Sequence, residues 1–150
     1  MMRNTIKYIL LSVCLLSSNW LQAEDMLMAR TQANFPEAMV KLQTILKKHH
    51  YTLSRVQRVD IGLTAKGYKT DKYRIVFFGR AEEVEHIANK YPELVPYLPY
   101  KIAIFAEAEE TLLVASNPEI LFSDATGELK TILKNWHDDL TSIFHDMRQE

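Results

Sequence analysis

The sequence predicts an α+β fold of two layers, a mainly antiparallel sheet with helices packed on one face. Three observations carry this reading. Apolar residues from Leu129 to Met147 recur at helical spacing for about five turns. Two alternating runs, around Ile102–Ala106 and Leu112–Val114, flank the acidic turn "EAEE", which is the pattern of a hairpin. The full order reads β-α-β-β-α-β-β-α-α, so strands fall beside one another in pairs and the helices are left to cover one face. At 150 residues the chain has the length of a single domain.

The first 23 residues stand apart from that domain. Arg3 and Lys7 come without an acid, Tyr8 to Leu16 form a short apolar run, and Ala23 precedes the acidic pair Glu24-Asp25. This is the pattern of a secretory signal peptide cut after Ala23. The apolar run is far short of the ~20 residues that a spanning helix needs. The expected mature chain, residues 24–150, is therefore periplasmic or secreted and has no membrane association once the signal is removed. Cys14, the only cysteine, lies inside the leader. Its loss excludes disulfides, thiol catalysis and cysteine-based zinc sites. Losing Arg3 and Lys7 leaves 16 basic against 19 acidic residues. So mild an acidity offers no attraction to nucleic acid.

Each element of the domain has a local cause. "MLMAR" at Met26–Arg30 alternates weakly, as a first strand does. "NFPEAMVKLQTILKKHH" then carries Asn34 or Phe35 at a cap, Pro36 at the first helical position and Glu37 in the first turn. Phe35, Met39, Leu42 and Leu46 give it a buried face, and Lys47 and Lys48 suit its negative C-terminus. Tyr51–Val59 is rich in strand formers, and the glycine-bearing segment Asp60–Asp71 is expected to be a loop. In "KYRIVFFG" Tyr73, Ile75 and Phe77 face one way, Val76 and Phe78 the other, as in a strand covered on both sides or central in its sheet. "AEEVEHIANKY" is a helix with Val84, Ile87, Ala88 and Tyr91 inward. Pro92, Pro96 and Pro99 are expected to keep the next segment irregular. After the hairpin, Asn117-Pro118-Glu119 is a helix start. In the last helix, expected over about 124–148, the stripe is Leu129, Ile132, Leu133, Trp136, Leu140, Ile143, Phe144 and Met147.

With these elements in place the chain resembles the DUF302 family. The resemblance rests on "VFFG" closing the third strand, the strand entry "LPYKIAIF", the second hairpin strand, and the "NP" helix start at Asn117-Pro118. It covers about Met26 to Met147. It implies an antiparallel sheet with helices packed on it and a homodimer, and it implies no reaction. Two positions depart from the family pattern. Asp60 is followed by Ile61 where an Asp-His pair is common, and Gly79 by Arg80 where a small residue or Asn is common.

Motifs with built-in chemistry are missing: no GxSxG, no P-loop, no dinucleotide fingerprint. Glu107, Glu109 and Glu110 cluster at the hairpin tip, but a pair of catalytic acids needs a cleft that shifts one pKa, and a tip is solvated. Thioethers suit Cu(I), so Met26 and Met28 with His49 and His50 form the metal set to test. His49 and His50 diverge by about 100° on a helix and cannot share an ion unaided. Tyr68, Tyr73, Tyr97 and Tyr100, with Asp60, are the candidate ligand-binding residues. They are expected to line a pocket where the Asp60–Lys72 loop and the Pro92–Pro99 segment approach the sheet. The favoured function is a non-enzymatic, exported module without a cofactor, which dimerises and binds a small ligand or protein partner. Periplasmic copper binding and a hydrolase of unrecognised type are the alternatives.

Overall fold

The computed structural model of the protein describes residues 25–149. The leader and Cys14 lie outside the described residues. Five strands form one sheet: β1 (Met26–Thr31), β2 (Thr52–Arg58), β3 (Tyr73–Gly79), β4 (Tyr100–Glu107) and β5 (Glu110–Ser116). Their spatial order is β1-β5-β4-β3-β2, and every neighbouring pair is antiparallel. The helices are α1 (Phe35–Lys48), α2 (Val59–Thr64), α3 (Ala81–Lys90), α4 (Pro118–Leu121) and α5 (Gly127–Arg148). A two-layer α+β fold results, as the periodicities predict.

Two segments are more regular than the sequence suggests. Val59–Thr64, expected as the end of a strand and the start of a loop, closes a short helix, and Asp60 in its first turn is held by Arg74 from the next strand. Pro92–Tyr97 forms a 3-10 helix. Pro92 sits at its start, where a missing N–H leaves no bond unmade, so proline ends the preceding helix without forbidding a tighter one.

One face of the sheet carries the core. Ala29, Val76, Phe78, Ile102, Ile104, Leu113 and Ala115 point from the strands into α1 and α5. From the helices come Leu42 and Leu46, then Leu133, Trp136, Ile143, Phe144 and Met147, all buried. Leu129 and Ile132 pack at the margin of this core, so the predicted stripe of α5 is buried along its length. Asn34 caps α1, its side chain accepting from the Glu37 N–H at 3.2 Å.

The other face is bare. Met28, Val114, Ala103 and Ile75 form one row across β1, β5, β4 and β3, and Leu112, Phe105 and Tyr73 the next, Leu112 being buried among its neighbours. The third strand is thus interior to the sheet but covered on one side only: Val76 and Phe78 are buried, while Tyr73, Ile75 and Phe77 are half-exposed. Both sheet edges are blunted. Arg148 of α5 donates to the Met28 carbonyl at 2.5 Å on the β1 side, and a register shift between Leu53 and Arg55 interrupts β2.

The close of β3 is tight. A Cβ on Gly79 would meet the Val84 Cγ2 at 2.9 Å and the Pro99 Cβ at 3.6 Å. Valine has little χ1 freedom in a helix, so α3 would have to move. Gly79→Ala is expected to destabilise the fold by about 1–3 kcal/mol in urea unfolding, with the order of elements unchanged.

Helix α3 is tied to the start of α5 through Glu128, which accepts from Lys90, from His86 at 3.2 Å and from the Tyr91 hydroxyl at 3.1 Å. Lys90 first, then His86 and Tyr91, holds the Glu128 carboxyl down at about 2. A lowered pKa stabilises the fold above the ordinary value of 4.5, and that contribution fades as pH falls toward about 2. Between those limits the melting temperature of Glu128→Gln should fall less steeply than that of the unaltered chain. Equal slopes would remove Glu128 from the acid response.

Candidate functional site

At the strand ends where β4 begins and β5 finishes, four elements meet around a small pocket. Its walls are Tyr97 of the 3-10 helix, Tyr100 of β4, Pro118, Leu121 and Phe122 at α4, and Trp136 and Leu140 of α5; Lys101 and Ser116 stand at the strand ends. Asn117 positions α4 by accepting from the Glu119 N–H at 3.1 Å, and its Oδ1 also meets the His137 Nδ1 at 3.1 Å. Tyr97 and Phe122 pack edge to face at 4.9 Å, which fixes the outer wall. The pocket is half open to solvent, and its free volume is about 50 Å³. Tyr100 is 8% exposed, and its hydroxyl has no hydrogen-bond partner among the described residues. Burial, then the negative charge of Glu83, pushes its ionisation far above the ordinary range.

Behind the Tyr100–Trp136 wall lies a polar cluster centred on Arg80. Its guanidinium covers the Tyr51 ring at 4.0 Å and donates to Asp139 at 2.8 Å, to the His49 carbonyl at 3.2 Å and to Glu83 at 3.4 Å. The same Asp139 oxygen accepts from the Tyr51 hydroxyl at 2.7 Å, and Glu83 accepts from the Trp136 Nε1 at 3.2 Å. Burial and then Asp139 keep the Tyr51 phenol neutral far into the alkaline range. One cation facing two carboxylates, each already accepting a second bond, is a clamp with little left to offer a substrate.

The predicted ligand residues do not converge. Antiparallel pairing sets Tyr73 opposite Phe105 and Phe78 opposite Tyr100, so Asp60–Lys72 and Pro92–Pro99 lie at opposite ends of the strands. Tyr97 and Tyr100 share the pocket. Asp60 lines a separate shallow hollow with Ile61 and Lys72, its carboxyl taken up by Arg74. Tyr68 is 64% exposed, and Tyr73 belongs to the bare sheet face, edge to face with Phe105 at 6.0 Å. The proposed metal ligands are likewise apart. Met26 and Met28 point to the bare face, whereas His49 ends α1 in the helical layer and bonds Asp146 at 3.0 Å. His50 follows in the left-handed region at φ 62°. Among the described residues no three His, Cys, Asp or Glu side chains are grouped to hold a metal. At the hairpin tip Glu107 pairs with Arg30 at 2.9 Å and Glu110 takes Gln32, so these acids staple the turn to β1.

Sequence reasoning missed Phe122, Leu121, Lys101 and Leu140 as pocket residues, and Arg80 with Asp139 as a pair. Trp136 was legible only as part of a core stripe. Arg80 did carry a signal, being the residue that departs from the pattern after the strand-ending glycine.

A family model described as "Domain of unknown function DUF302" matches residues 28–147. The chain belongs to the DUF302 family. The crystal structure of an uncharacterized conserved DUF302 protein from Bacillus stearothermophilus superposes with a TM-score of 0.76 at 19% identity, covering 84% of this chain and 100% of that one. At that identity the likeness establishes the DUF302 fold. No curated protein matches the chain. Among the described residues no helix is long and apolar enough to cross a membrane.

The clamp makes a graded prediction for this DUF302 domain. Tyr51→Phe removes one bond and should cost about 1 kcal/mol. Asp139→Ala strands both Arg80 and the Tyr51 hydroxyl and should cost about 2–3 kcal/mol, measured as the shift in urea midpoint at constant slope.

Proposed function

We propose that this DUF302 protein is an exported binding module that works as a dimer, with a second copy seated on the bare face of the sheet. The bare face is the observation that supports this reading. It is apolar across four strands, with Met28 on the edge strand 49% exposed and Val114, Ala103, Ile75, Phe105 and Tyr73 half-buried. Isolated exposed apolar residues need no explanation, but a contiguous field across four strands does.

Charge selects the occupant and its orientation. The central strand β4 bears Lys101 at one end of the bare face and Glu107 at the other, separated by Ala103 and Phe105. Lys101 has no carboxylate partner among the described residues, while Glu107 and Glu110 share Arg30 and keep an excess negative charge. A two-fold axis near Ile104, perpendicular to the strands, sets Lys101 of each copy over Glu107 of the other and closes the apolar rows on one another. The face measures roughly 24 by 20 Å from strand spacing and rise. That is the small end of specific interfaces, so the dimer should dissociate on dilution.

Export rests on the leader alone: a basic start, a short apolar run and Ala23 before two acids. Recovery of a chain beginning at Glu24 from an osmotic-shock fraction, by intact mass, would bear it out; full-length chain in the cytosol would end it.

Sedimentation tests the pairing. The unaltered protein should show a monomer–dimer equilibrium. Ala103→Lys adds a charge at the axis on a face with room for it and should leave a monomer with an unchanged circular dichroism spectrum. A monomer at all concentrations for the unaltered chain, or a dimer that survives Ala103→Lys, would refute the sheet-face interface.

A further inference from the structure

We propose that Met28, with Met26 beside it, is a reversible oxidation site through which a peroxide controls the pairing of sheet faces. The inference rests on the dimer proposed above and adds its regulation. Strand alternation puts both side chains on the bare face, while Leu27 and Ala29 turn to the core. Met28 is 49% exposed and Met26 38%. The other two described methionines are shielded: Met39 packs against the core from α1, and Met147 is fully buried. Cys14, the only cysteine, falls in the leader, so thioethers are the only oxidisable sulfur in the exported chain.

The step is a two-electron oxygen transfer. The thioether sulfur attacks one peroxide oxygen, the O–O bond breaks, and the sulfur keeps that oxygen as a sulfoxide while hydrogen peroxide is reduced to water. A flexible apolar side chain becomes a polar one. Met28 lies opposite Val114, in the row that continues through Ala103 and Ile75, and none of these side chains can donate to a sulfoxide oxygen. The nearest cation on the same strand face, Arg30, is engaged by Glu107. Closing a second sheet over the sulfoxide strips water from its oxygen, which disfavours the pair. Met26, opposite Ser116, stands at the rim of the field. Arg148 holds β1 through the Met28 carbonyl and not through the thioether, so oxidation leaves the fold in place. In the pair Met28 is covered. The oxidant therefore acts on the dissociated chain, and the sulfoxide keeps it dissociated.

Hydrogen peroxide applied to the unaltered protein, followed by peptide mapping and sedimentation, tests this. Trypsin cuts after Arg30, Lys41 and Arg148, which separates Met26 and Met28 from Met39 and from Met147. In dilute protein Met28 should oxidise about tenfold faster than Met147. Raising the protein concentration should slow oxidation of Met28 and leave that of Met39 unchanged. The oxidised chain should pair about tenfold more weakly with an unchanged circular dichroism spectrum, and methionine sulfoxide reductases with dithiothreitol should restore the pairing. The double variant Met26→Leu, Met28→Leu keeps the face apolar and should stay paired under peroxide. Met28→Gln, with an amide oxygen in place of the sulfoxide, should pair about tenfold more weakly without any oxidant. An oxidised chain that pairs as tightly as the reduced one overturns the switch and leaves the dimer standing. So does loss of pairing under peroxide in the double leucine variant. Reduced, unaltered protein that stays monomeric at every concentration ends the pairing and the switch together.

Discussion

The bond from Arg80 to Asp139 is the constraint around which the helical layer is organised. Arg80 follows directly on β3 and caps the approach to α3, and Asp139 lies in the middle of α5. The same guanidinium reaches back to the last turn of α1 through the His49 carbonyl. Three helices that share no sequence neighbourhood are thereby fixed to one strand end. A third of the Arg80 side chain remains exposed, so solvent screens the charge interaction and the geometry of the hydrogen bonds matters more than the Coulomb attraction. Stacking on Tyr51 adds a contact that lysine could not reproduce. This registration also sets Trp136 against Tyr100 and so builds the inner wall of the pocket.

The asymmetry of the sheet follows from where the chain places its helices. The long α5 and α1 pack together across β1, β4 and β5 on one side. Strand residues facing the helices are mostly apolar and buried, with Phe78 and Tyr100 among the aliphatic side chains. Those facing away are still apolar in the centre but bounded by Arg55, Lys101, Arg30 and Glu107. Such a face differs from the solvated side of an ordinary two-layer fold, which alternates to polar residues throughout. It is this composition, and not exposure alone, on which the proposed pairing of sheets rests.

Legibility followed range. The α5 stripe, the Asn34 and Asn117 caps and the hairpin were readable because each depends on residues a few positions apart. The helix at Val59–Thr64 was not, since its first turn is held by Arg74 from the next strand. Its composition, with Gly62 and no apolar stripe, argues for a loop when taken locally. The pocket was half legible: Tyr97 and Tyr100 belong to it, whereas Asp60 and Tyr73 were grouped with them although antiparallel pairing carries those residues to the far end of the strands. A segment's neighbours in sequence say which face a side chain takes, but not which distant segment shares that face.

What the sequence determined by itself was the five strands, the long helices with their buried faces, and the family, because helical and strand periods are written in spacings of two to four residues. Only the tertiary structure decided that Arg80 serves α1, α3 and α5 at once, that Met26 and Met28 lie across the sheet from His49, and that one sheet face is uncovered. Each of these depends on strand order β1-β5-β4-β3-β2. That order is selected by the summed packing of the whole core, a quantity to which every buried residue contributes and which no local spacing records.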